Sequence, residues 1–151
     1  MNRQAAVTLA ATALFVLVWC AGCQSRSKNL SKEGGSNTML HYLEIVCKDV
    51  DAQCAALERL HGLSFGPEVP DLGQARVAEA PDGSLVGVRR PLAEHEQPIV
   101  RTYLAVNDIE KAVKAAEKAG ATIAYPPTKQ GDTGTWAIYI LGGIQHGLWE
   151  R

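Results

Sequence analysis

Four histidines and one strand-borne carboxylate are the side chains of this sequence best suited to metal or proton chemistry. His41 and Glu44 share an alternating segment, His61 falls at the end of a helical pattern, His95 in a polar linker, and His146 in a short closing strand. Imidazole binds metals and moves protons near neutral pH, and a carboxylate sheltered from water can act as a general base beside a carbonyl. A metal site needs three or four convergent ligands, and these histidines occur at no spacing that gathers them. Nothing at fixed spacing marks an activated nucleophile, a phosphate-cradling glycine loop or a cofactor motif. Any chemistry must be assembled by the fold from separate segments.

The elements that would assemble it come in two copies. Residues 141–149 (LGGIQHGLW) are echoed by residues 80–88 (APDGSLVGV), and in each copy a turn glycine, Gly143 or Gly83, is followed four residues later by a second, Gly147 or Gly87. The repeat extends upstream. Residues 39–47 (MLHYLEIVC) alternate and predict a strand. Asp49 is suited to cap a helix, in which Val50, Cys54, Leu57 and Leu60 or His61 recur at helical spacing until Gly62 ends it. Short strands are expected around residues 63–65, 75–79 and 85–90, separated by Gly66-Pro67, a turn at residues 70–73 and another at residues 81–83. The second copy has a strand at residues 100–106 and a helix capped by Asn107-Asp108. Its stripe is Ile109, Ala112, Val113 and Ala116, Glu110 and Lys114 are expected to pair one turn apart, and Gly120 closes it. Strands around residues 122–124, 135–141 and 147–150 complete the copy. The reading is α+β, two tandem βαβββ modules forming a curved mixed sheet around a shared cleft. Module one is residues 39–90, the linker 91–98 (PLAEHEQP), and module two 99–151.

The bulk numbers agree with one domain of this size. The chain has 151 residues, 46% hydrophobic and 21% charged, with net charge -1. That is ordinary globular composition, and no basic surface argues for nucleic acid. Residues 1–22 read as an export signal, with a positive start, an apolar core and small residues before Cys23. Ala21-Gly22-Cys23 resembles the lipobox of bacterial lipoproteins, with Cys20 where leucine is usual. The resemblance implies lipid on Cys23, residues 23–38 as a flexible tether, and a domain held on the cell envelope outside the cytoplasm. An uncleaved anchor and soluble secretion are the alternatives, and each also exports the domain. Cys47 and Cys54 then remain, read as two buried thiols in preference to a disulfide.

Several stretches together resemble the vicinal oxygen chelate superfamily (glyoxalase I, extradiol dioxygenases, bleomycin- and fosfomycin-resistance proteins), and more closely its glyoxalase-like branch. They are residues 42–49 (YLEIVCKD), 101–108 (RTYLAVND), 126–128 (PPT), 134–137 (GTWA) and 143–149 (GIQHGLW). The resemblance implies the glyoxalase-like fold. It places metal ligands seven residues before each capping aspartate and four after each turn glycine. Those positions hold Tyr42, Gly87, Arg101 and Gly147. Glycine has no donor and arginine is a permanent cation, so no metal or other cofactor is expected. His41 would take the Tyr42 position only if the first strand slipped by one residue.

Parity from those positions points Tyr42, Glu44, Leu85, Arg89, Arg101, Tyr103, Gln145 and Trp149 into the cleft. This set suits a metal-free pocket for a small anionic or carbonyl-bearing molecule, the arginines holding the anion and Tyr103 and Trp149 stacking on its apolar part. Equally, Glu44 can neutralise Arg101 inside the sheet while the aromatics fill the core. Three functions stay open: small-molecule binding, an enzyme of the superfamily (lyase, isomerase or dioxygenase-like) with Glu44 as base, with or without a divalent metal, and a non-catalytic envelope interaction module. The domain can form its cleft as a monomer, and a homodimer is permitted.

Overall fold

The computed structural model describes residues 39–151. The signal, the tether and the lipidation cysteine Cys23 lie outside the described residues. Two βαβββ units follow one another. The first comprises β1 (Leu40–Val46), α1 (Val50–His61), β2 (Glu68–Val69), β3 (Ala75–Glu79) and β4 (Leu85–Arg89). The second comprises β5 (Ile99–Ala105), α2 (Ile109–Lys118), β6 (Thr122–Gln130), β7 (Gly134–Leu141) and β8 (Ile144–Glu150).

All eight strands form one sheet in the order β2-β3-β4-β1-β5-β8-β7-β6. In each unit the first strand runs parallel to the last, β1 with β4 and β5 with β8. The units meet along the antiparallel β1–β5 pair, which sets Tyr42 opposite Tyr103 and Glu44 opposite Arg101. This is the glyoxalase-like fold that the sequence predicts.

Local chemistry starts both helices, and closes α1 and the β7–β8 hairpin, where expected. The Asp49 carboxylate accepts from the Ala52 N–H at 3.0 Å, and that of Asp108 from the Lys111 N–H at 2.8 Å, each satisfying a free donor of a first helical turn. Gly62 closes α1 in the left-handed conformation, φ 68°. Gly142 and Gly143 both take positive φ, 61° and 79°, which the tight β7–β8 hairpin requires.

Both helices pack on the same face of the sheet, each over its own unit. Val50 and Cys54 of α1 join Phe65, Ala78, Val86 and Val88, while Ile109 and Val113 of α2 join Ala137 and Leu148. Cys47 and Cys54 are free thiols, Cys54 buried and Cys47 half-buried beside that core.

Four local expectations are corrected. Residues 63–65 are irregular, and the strand comes later, at β2. Arg76 donates to the carbonyls of Phe65 and Gly66, and Glu58 accepts from the Phe65 N–H, so side chains satisfy the backbone that a ladder would otherwise pair. Leu60 is 75% exposed and His61 is exposed too, so the buried stripe of α1 ends at Leu57. Glu110 and Lys114 both project to solvent and form no ion pair, as expected where holding two long side chains costs more entropy than screened attraction returns. The strand expected at residues 122–124 runs on to Gln130 through Pro126-Pro127. It lies at the sheet edge, where a proline's missing N–H breaks no ladder, and its pairing shifts register around them.

Candidate functional site

The β1–β5 seam carries charge where a sheet ordinarily carries apolar side chains. Glu44, Arg89 and Arg101 are only 5–6% exposed, a burial that charged groups tolerate only when paired. Glu44 faces Arg101 across β1–β5 and lies beside β4, which brings Arg89. Its Oε1 accepts from Arg89 Nε at 2.6 Å. Its Oε2 accepts from Arg101 Nη1 and, at 3.1 Å, from the Tyr103 hydroxyl. Gln145 Oε1 takes two further N–H groups of Arg101, at 2.6 and 3.0 Å.

Arg89 continues the chain outward. Its Nη2 donates to Glu96 Oε1 at 2.7 Å and its Nη1 to Glu96 Oε2 at 2.9 Å, so a carboxylate from residues 91–98 grips it with both oxygens. Burial opposes the Arg89 charge, but the Glu96 hydrogen bonds and the Glu44 charge outweigh it and push its pKa above the ordinary range. The Arg89 hydrogen bonds hold the Glu96 carboxyl below the usual carboxylate range. Among the described residues, every buried side-chain nitrogen or oxygen has a partner.

An aromatic cluster lies on the same face. Tyr42, Tyr103 and Trp149 have ring centroids 5.6–5.8 Å apart, packed with Ile138, Leu72 and Leu85. Burial first, and then the Glu44 charge, keeps both phenols protonated well above their usual range. Trp149 Nε1 donates to the Thr133 carbonyl at 2.9 Å, tying β8 to the β6–β7 turn. The two glycines that mark the repeat explain the fit. A Cβ on Gly87 would collide with the end of the Tyr42 side chain, and one on Gly147 with the inner edge of the Tyr103 ring.

The donor set therefore does not suit a cation. Two of the four expected ligand positions are glycines whose missing side chains make room for tyrosines, a third is Arg101, and the fourth is a phenol that burial keeps protonated. Among the described residues, no three His, Cys, Asp or Glu side chains converge as metal ligands. His41 does not take the Tyr42 position. The β1–β5 register passes from Leu40–Leu104 to Tyr42–Tyr103, so His41 is the extra residue of a bulge and Tyr42 keeps its place.

That bulge shapes the open end of the cleft. His41 is 6% exposed, its ring centroid 5.2 Å from that of Trp149, and its Nδ1 accepts from Arg151 Nε at 3.1 Å and Nη2 at 2.8 Å. An arginine can only donate, so Nδ1 is unprotonated and the ring proton of the neutral imidazole sits on Nε2. Burial, then the Arg151 charge, lowers the His41 pKa. A cavity of about 340 Å³ remains here. Tyr42, Trp149, Leu72 and Leu85 give it apolar walls, and His41, Arg151, Asp132 and Thr133 give it polar ones.

The eight side chains predicted to share a face do converge, but most bond one another. Of the seven predicted ligand contacts, Tyr42 and Trp149 line this cavity, whereas Glu44, Arg89, Arg101, Tyr103 and Gln145 form the packed network. Sequence reasoning missed Arg151 and Glu96. One follows the last strand and the other lies in the linker, and parity along strands assigns a face to neither.

No family model and no curated protein matches this sequence. Solved structures do match. A hypothetical protein from Bacillus halodurans superposes with TM-score 0.64 at 15% identity, over 77% of this chain and 96% of that one. A methylmalonyl-CoA epimerase from Mycobacterium tuberculosis gives 0.60 at 17%, over 74% and 87%. A methylmalonyl-CoA epimerase in complex with methylmalonyl-CoA and NH4+ gives 0.56 at 17%, over 77% and 96%. At such identities the likeness is one of fold.

Two outcomes follow from this packing. Gly147→Ala should destabilise the domain by about 1–3 kcal/mol, and more than Gly87→Ala, because the Tyr103 ring is met near its root and the Tyr42 side chain at its tip; equal midpoints in thermal denaturation would contradict the packing. Glu96 has a folded pKa below its unfolded one, so its stabilising contribution is complete above the ordinary carboxylate range and is lost as pH falls through the lowered value. Glu96→Gln should therefore flatten the acid limb of a stability–pH curve, and an unchanged limb would show that the Arg89 pair adds nothing.

Proposed function

We propose that the domain binds a small organic molecule bearing an anionic or carbonyl group, without a metal, in the cavity at the His41 end of the cleft. The observation that carries this reading is the cavity's composition. A volume of about 340 Å³ is within the range of small-ligand sites, and it sets an aromatic and aliphatic wall against the guanidinium of Arg151. Tyr42 and Trp149 would hold the apolar part and Arg151 the anion. The neutral His41 would offer its Nε2 proton to a carbonyl or carboxylate oxygen. The epimerase complex with methylmalonyl-CoA supports a carboxylated acyl compound as a ligand class that this fold can accommodate.

Catalysis by Glu44 is the weaker reading, because both its oxygens are already engaged by Arg89, Arg101 and Tyr103. The interaction-module reading is favoured by one observation, the closure of the inner cleft by Tyr42, Tyr103 and Trp149. In the same proposal the chain is exported and held to a membrane by lipid on Cys23, which would set the cavity at an envelope surface; the lipobox-like AGC is what supports this.

Binding is tested by titrating the full chain with short aliphatic carboxylates and their acyl thioesters, reading tryptophan fluorescence and heat. Arg151→Ala should weaken binding on the order of 10-fold or more, the scale of a charged hydrogen bond, with little change in melting temperature. Failure of the whole panel to bind would favour the interaction module. Anchoring is tested by fractionation: wild type should sediment with membranes carrying lipid on Cys23, and Cys23→Ser should lose the lipid. Unmodified Cys23 in wild type would sink the lipoprotein reading.

A further inference from the structure

Arg89 ends β4 at the opposite end of the cleft from the His41 cavity, since β1 and β4 run in parallel and His41 precedes Glu44. Its guanidinium grips a carboxylate by both oxygens. Two N–H groups meet the two oxygens of Glu96 in parallel, at 2.7 and 2.9 Å, while the Leu92 backbone N–H, 2.7 Å from the same carboxylate, belongs to the loop itself. Glu44, Arg89 and Arg101 all stand on strands, and those three side chains alone carry one uncompensated positive charge in a buried seam. Glu96 cancels it from residues 91–98, a segment with neither helix nor strand. The demand for one more carboxylate is built into the sheet, and a loop meets it.

The loop carboxylate also borders open space. A cavity of about 310 Å³ adjoins Glu96 on this side, lined by Lys48 and otherwise by residues 91–98 themselves. Lys48 adds a cation to its wall and Glu94 an anion, and the Glu96 side chain is 21% exposed against 6% for Arg89. Glu96 thus lies between a buried guanidinium and a solvent-accessible hollow large enough for a small acid.

We infer that the Arg89 end of the cleft is a carboxylate-binding site, held in this structure by the chain's own Glu96, and that a small carboxylate takes its place when residues 91–98 lift. This site is separate from the His41 cavity and does not depend on a ligand binding there. Glu96 acts as a tethered competitor whose local concentration sets how much free acid is needed.

The test is rescue by an added acid. Full-length Glu96→Ala should melt roughly 10 °C or more below wild type, because the seam is left with an unpaired charge. Acetate should raise its midpoint saturably in the millimolar range, and chloride at equal ionic strength should not. Glu96→Gln, which keeps the side-chain volume, should show the same acetate-specific rise, so the test survives if the alanine variant folds only with acetate present. In wild type, acetate but not chloride should speed hydrogen exchange of the backbone amides in residues 91–98. A wild-type midpoint for Glu96→Ala without acetate would overturn the inference, as would equal responses of both variants to acetate and chloride. Unchanged exchange in wild type at saturating acetate would overturn displacement of the loop.

Discussion

The structure depends on one carboxylate placed between two guanidiniums. Glu44 sits on β1, where the two βαβββ units join, and bonds Arg89 of the first unit and Arg101 of the second. Desolvating any of the three alone would cost several kcal/mol, and their attraction offsets that only with close geometry and every remaining donor satisfied. The surrounding residues supply both conditions: Tyr103 and Gln145 complete the bonding of Glu44 and Arg101, and Glu96 that of Arg89. A buried ion pair is weak support for stability in itself. Its firmer consequence is registry, since sliding β1 by one residue against β5 would part Glu44 from Arg101 and turn it to the helix-covered face.

The glycines and tyrosines belong to the same solution. A curved sheet joined from two units has a concave face that must be filled or left open to a ligand. Here Gly87 and Gly147 lower the floor by one side chain each, and Tyr42 and Tyr103 lie down into those places. The aromatic rings then roof part of the charged seam and strengthen its electrostatics by excluding water. Packing by Leu72 and the Trp149 hydrogen bond to the Thr133 carbonyl hold the cluster in place.

This division explains what could be read from the chain. Caps, hairpin glycines and strand parity are local or strictly periodic, so Asp49, Asp108, Gly142-Gly143 and the shared face of Tyr42, Glu44, Arg101 and Trp149 were all legible. Long-range reach was not. Glu96 is seven residues from Arg89 along an irregular loop, and Arg151 meets His41 across 110 positions. A bulge has no sequence mark either, and the β1 bulge brings His41 inward without displacing Tyr42. The irregular course of residues 63–65 depends on Arg76, a side chain from the next strand, replacing a ladder. Parity says which way a side chain points, and it is silent on whether something already stands there.

That last distinction decides where this cleft can still act. Charge neutrality has been met in its middle from within the protein, so a ligand entering there would have to break paired, buried charges before making a contact. At the His41 end no such cost arises. Arg151 is exposed and rests on a neutral imidazole, and among the described residues it forms no salt bridge with an acid. At the Arg89 end the compensating acid belongs to a loop and not to a strand, so replacing it disturbs no ladder. The packed seam thus closes the centre of the cleft, and the two proposed anion sites lie at its ends.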